Sequence, residues 1–182
     1  MTRTRRKLNE AHFFLHKFEQ NQDEDPECDY YLSAFISSAR SVLWIMRSEY
    51  ESIEGWENWY SSKKPDEDGQ LFLKRINSIR VRSEKTVPLE TSYVVVLLTS
   101  QLETTPELKE AMEYFDDRNV ICTIDNSNGR LRAIIVDGHR VLEVDAKIVQ
   151  AIDEFPDEDT LDVCKKYYSL LEHIVSECEK SF

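Results

Sequence analysis

The stretch Tyr30–Ile53, YYLSAFISSARSVLWIMRSEYESI, decides the fold. Within it Tyr31, Phe35, Ala39, Val42 and Met46 form one apolar stripe, and Leu32, Ile36 and Leu43 form a second beside it. Two adjacent stripes at helical spacing make a face wide enough to touch more than one neighbour, so this helix belongs in the middle of a bundle. Ser33, Ser37 and Ser41 repeat at every fourth position with Ala34 and Ser38 alongside. Such small side chains let another helix approach closely.

Working outward, the spacing of Leu8, Ala11, Leu15 and Phe18 predicts a helix over Thr4–Gln20, ended by the acidic stretch Asp23–Asp29 with Pro26. Downstream, Gly55 breaks the long helix, and GWENWY places Trp56, Trp59 and Tyr60 where aromatic bulk closes the bundle end before the polar loop Ser61–Gly69. The next helix, Leu71–Arg82, reads LFLKRINSIRVR. Phe72, Ile76 and Ile79 define its buried face, which puts Arg75, Ser78 and Arg82 on one flank and Asn77 and Arg80 on the other. Pro88 closes this helical half.

The second half changes period. Tyr93–Leu98, Val120–Ile124, Leu131–Val136 and Arg140–Val144 read as strands, with Asp137-Gly138 as a tight hairpin turn and Pro106–Phe115 as a helix among them. The end reads as helix again over Asp145–Phe155, broken at Pro156, then as a final helix with Leu161, Cys164, Tyr168, Leu171, Val175 and Cys178 on one face. The expectation is a mainly α protein: a helical bundle made of residues 1–88 and 145–182 around an inserted small α/β segment at 89–144, in one compact domain overall.

Composition bounds the function. With 23 Lys and Arg against 35 Asp and Glu, the net charge of −12 disfavours a general nucleic-acid coating role. The basic start MTRTRRKLNEAHFFLHKF has no signal-length apolar core, and the longest apolar run, Tyr93–Leu98, is too short to span a bilayer. A soluble cytoplasmic protein without membrane partners is expected. Cys28, Cys122, Cys164 and Cys178 lie too far apart for zinc or redox motifs and read as reduced buried thiols. Four glycines leave no GxGxxG or GxxxxGK[ST] loop, so no nucleotide cofactor is expected.

Few residue sets carry chemistry. His12 and His16 stand four apart, a spacing that puts two imidazoles on one metal, but a third ligand is missing locally, and Glu19, His139 or His173 would have to supply it. No GxSxG elbow and no cysteine–histidine pair is recognisable. The acidic clusters Asp23–Glu27, Asp66–Asp68 and Asp157–Asp159 stand at helix starts, where carboxylates cap free N–H groups. There remain Arg75, Asn77, Arg80 and Arg82, with Lys74 and Lys85 near them: a local positive region suited to the phosphates of RNA or a nucleotide.

The order YYLSAFISSARSVLWIM, GWENWY, FLKRINSIRVRSE and YYSLLEHIVSEC resembles the HEPN superfamily across the helical two-thirds of the chain. The resemblance implies an all-α bundle, a homodimer, and in many members a metal-independent ribonuclease of toxin–antitoxin or antiviral systems, built on an arginine and a histidine with four to six residues between them. Here, with Arg75 as that arginine, the window holds Arg80, Val81 and Arg82 and no histidine. An arginine stays protonated and cannot act as general base, so the resemblance implies a degenerate, non-catalytic binding or regulatory module. Two alternatives stay open: a ribonuclease toxin with reorganised catalytic residues, and a structural subunit that binds a protein partner.

Overall fold

The first helix starts where Thr2 caps it. The Thr2 hydroxyl accepts from the Arg5 N–H, and helix α1 runs from Arg3 to Gln20, burying Thr4, Leu8, Ala11, Leu15 and Phe18 along one side. A computed structural model describes residues 1–24, 26–85, 88–97, 120–125, 130–137 and 140–182, with backbone alone for Glu84, Leu97 and the strand residues between 120 and 144. Helix α2, Glu27–Tyr50, buries Leu32, Phe35, Ile36, Ala39, Val42 and Met46, and α1 packs along its length. Both stripes of the opening stretch therefore enter the core. The serine row differs from its expected close-packing role. Ser37 is exposed, as are Tyr30 and Trp44 on the same side, and the buried member is Ser38. The reason is local: Ser38 and Ser41 donate back to the carbonyls of Ala34 and Ser37, which satisfies the hydroxyls without a neighbouring helix.

Gly55, at φ 85°, turns the chain into the short helix α3, Trp56–Ser62. Trp56 is buried and stacks on Tyr50 and Tyr60, with Trp59 and Phe182 also against it, so GWENWY does close one end of the bundle with aromatic bulk. Helix α4, Glu67–Lys85, begins under the Asp66 carboxylate, which accepts from the Gly69 N–H at 2.9 Å. Phe72, Ile76 and Ile79 are its buried residues, the face expected from their spacing.

Two compact units emerge: Met1–Ser92 together with Ala151–Phe182, and Tyr93–Gln150. The second unit carries a sheet of four strands, β1 (Ser92–Leu97), β2 (Val120–Asp125), β3 (Arg130–Asp137) and β4 (Arg140–Ala151), in the order β1-β4-β3-β2, with β2 and β4 each antiparallel to β3. Asp137 pairs with Arg140 across β3 and β4, as a two-residue connection requires; the turn itself, like the helix expected over Pro106–Phe115, lies outside the described residues. One element corrects the sequence reading. Asp145–Phe155 is not a helix: β4 continues to Ala151, and a bridged turn links Ile152 to Phe155. Pairing of Asp145 and Ala146 with Arg132 and Leu131 overrides a helical propensity that Ile148 and Val149 support only weakly.

The last helix, α5 (Thr160–Ser181), starts under Asp159, whose carboxylate accepts from the Leu161 and Asp162 N–H groups. Its buried stripe Val163, Cys164, Tyr167, Leu171, Val175 and Cys178 packs on α1 and α2 and completes the helical core. The molecule is thus mainly α with an inserted small β-containing segment. Cys28, Cys164 and Cys178 are buried, and burial raises the thiols of Cys164 and Cys178, the latter to about 11, so these two are inert core thiols.

Candidate functional site

The α4 helix divides its cations between two flanks. On the first, the Arg75 Nε donates to the Glu154 carbonyl at 2.7 Å, its Nη1 lies 3.4 Å from Glu158, and the guanidinium stacks 3.8 Å above the buried Phe155 ring. Two turns on, Arg82 binds Asp153 at 2.6 Å and Glu154 at 2.9 Å. Both arginines fasten α4 to the turn ahead of α5. Their partners come from residues 153–158, about 75 positions away in sequence, which no local pattern reveals.

On the second flank the geometry is different. Asn77 accepts from the Arg40 Nε at 3.3 Å, and Arg80 follows Asn77 by three residues on the same side of α4. Arg40 rises from α2, and among the described residues no carboxylate lies within ion-pairing distance of it. Arg40 and Asn77 thus meet in a half-buried α2/α4 seam, with Arg80 one turn further along the same side of α4. Of the four polar residues predicted on α4, the fold keeps Asn77 and Arg80 together and turns Arg75 and Arg82 to the other side. Arg40 was not among the predicted residues. Its signal is a cation in the middle of the otherwise apolar and small-residue stretch Leu32–Met46.

His12 and His16 lie on α1 over a cleft of about 290 Å³ shared with α5, lined also by Glu19, Lys165, Tyr168 and Ser169. The His12 ring tilts against Tyr168, and Glu19 binds Lys165 at 2.6 Å and His16 at 3.8 Å. Lys165 holds the Glu19 carboxyl below the usual range. No group of three metal-ligating side chains forms among the described residues, and His139 lies outside them.

Beside this cleft runs a continuous polar network. Arg5 binds Glu179 and Glu172, each at 2.6 Å, and Ser176 at 2.9 Å; Tyr168 donates to Glu172. Burial, with Glu172 adding to it, pushes the Tyr168 hydroxyl up to about 12, which keeps it a neutral donor. The network locks α1 to α5 and leaves no group poised to titrate near neutrality.

The family model described as bacteriophage lambda protein ea47 matches residues 1–182. The chain belongs to that family. No curated protein and no solved structure matches it. For this ea47-family member, no helix among the described residues is long and apolar enough to cross a membrane.

Proposed function

We propose that this ea47-family chain is a non-catalytic binding or regulatory module that holds an anionic ligand, RNA or a nucleotide phosphate, at the Arg40–Asn77–Arg80 seam. The observation that carries the reading is the contrast between two flanks: Arg75 and Arg82 of α4 are committed to Glu154, Asp153 and Glu158, while Arg40 of α2 meets the Asn77 amide and no carboxylate among the described residues. A guanidinium beside a neutral amide retains its attraction for phosphate, whereas one chelated by two carboxylates has lost most of it. The HEPN likeness, a homodimer through a helical face and a cytoplasmic, phage-related defence or toxin–antitoxin setting belong to the same proposal. Against catalysis stands the chemistry of the seam: three strong hydrogen-bonding groups and none that exchanges a proton near pH 7.

The ribonuclease alternative draws on the α1/α5 cleft, where two imidazoles, Lys165 and Tyr168 converge. One experiment separates the readings. Labelled RNA is incubated with the folded chain, and the same samples are measured by anisotropy and run on a gel. The module reading expects salt-sensitive binding without shortening of the RNA. RNA cleavage that disappears in His12→Ala or His16→Ala would overturn it in favour of the enzyme.

A further inference from the structure

A second concavity lies elsewhere in the helical unit, between α2, α4, α5 and the turn Ser62–Pro65, with a volume of about 320 Å³. Its walls are the apolar side chains Leu43, Leu73, Tyr167, Leu171 and Ile174, and Leu170 stands 44% exposed at its side. Apolar surface left in water is stabilised when an occupant covers it.

The mouth carries the opposite chemistry. Lys63, Lys64 and His173 ring it, with Glu177 as the sole carboxylate among the described residues that line the pocket. Glu177 is committed, to Lys63 at 3.0 Å and to His173 at 3.4 Å, and Lys63 also lies over the Trp59 ring. Lys64 is exposed and forms no ion pair among the described residues. In a chain of net charge −12, an apolar pocket rimmed by an uncommitted ammonium is a local exception.

We infer that this pocket binds a small amphipathic anion, an apolar body of about ten carbons ending in one carboxylate, with the body against Leu43, Leu73 and Ile174 and the head at Lys64. Size favours a small molecule. At roughly 30 Å³ for each water-sized unit, the volume holds about ten such units. The α5 wall, residues 167–177, is about 15 Å long at 1.5 Å per residue, too short for the several turns that a docked partner helix needs. Charge complementarity selects the sign of the head.

The test is isothermal titration of the full chain with decanoate, decylammonium and a leucine-bearing acidic peptide. Decanoate is expected to bind one to one and at least about tenfold tighter than decylammonium, a difference of one charged contact. Lys64→Glu, an exposed change, is expected to invert that preference. Leu170→Trp, also at an exposed position, is expected to block the pocket and abolish decanoate binding with an unchanged melting curve. Equal affinity for the two amphiphiles, decanoate binding indifferent to both substitutions, or no saturable heat with the folded chain would overturn the assignment. So would tight binding of the peptide where decanoate does not bind, which would make the pocket a protein-docking site.

Discussion

Arginine is the residue type on which this molecule turns, and its positions differ in what they contribute. Arg5 is largely buried, 21% exposed, and bridges two carboxylates and a serine, whereas Arg3 is 67% exposed and 3.8 Å from Glu49. Replacing Arg5 by Ala leaves Glu172 and Glu179 without their shared cation and is expected to cost about 2 kcal/mol; Arg3→Ala is expected to cost less than about 0.5 kcal/mol. Urea denaturation of the two variants beside wild type checks the ranking. The same carboxylates set an acid limit. The Arg5 hydrogen bond holds Glu179 below the usual carboxylate range; at Glu172 and Glu49 burial opposes ionisation, but hydrogen bonds from Arg5 and Ser176, and from Thr4 and the Arg3 N–H, outweigh it. A folded pKa below the unfolded value means stability that is fully present above about pH 4.5 and is lost as pH falls through the depressed values. Thermal melts between pH 7 and 3 should fall progressively below that point for wild type, and less steeply for Arg5→Ala. A melting temperature unchanged down to pH 3 would contradict this.

At the scale of elements, ends are better specified than interiors suggest. Asp159 caps α5 through two N–H groups, so Asp159→Ala should cost about 1 kcal/mol. Gly55 sits at φ 85° with open space where a Cβ would stand, so Gly55→Ala should cost about 1–2 kcal/mol through backbone strain alone. Differential scanning calorimetry resolves both. These signals were legible: an aspartate before Leu161, a glycine after a long helix and an aspartate before Gly69 are each read from neighbours in sequence. The buried faces of α1, α2, α4 and α5 were legible too, because 3.6-residue periodicity is written in the chain itself. The tail of β4 was not. Lys147–Ala151 has no alternation strong enough to choose strand over helix, and its state is set by neighbouring strands that no local window contains. The site was half legible for the same reason. Spacing separates Arg75 and Arg82 from Asn77 on α4, but the acids that occupy the first flank and the Arg40 that meets Asn77 come from distant segments.

Over the whole molecule, the helical unit is discontinuous: residues 1–92 and 151–182 share one core, in which Phe35 meets Tyr167 and Phe72 meets Phe155. A fragment ending at Ser92 would therefore expose the faces that α5 covers. It is expected to show helical circular dichroism without a cooperative melt, and addition of a 151–182 peptide should restore the transition; a cooperative melt from 1–92 alone would show that α5 is dispensable. The central claim is that the α4 arginines divide into a structural pair and a ligand-facing seam. The most direct measurement is the affinity for short labelled RNA, at two salt concentrations, of wild type, Arg40→Ala, Arg80→Ala and Arg82→Ala, each with its melting temperature. The account predicts that Arg40→Ala weakens binding about tenfold with little change in melting and that Arg80→Ala weakens binding too, while Arg82→Ala lowers the melting temperature by a few degrees, for a loss of about 1 kcal/mol, and leaves affinity within about twofold. Loss of RNA binding in Arg82→Ala with Arg40→Ala and Arg80→Ala unaffected, or no binding by the folded wild type, would contradict it.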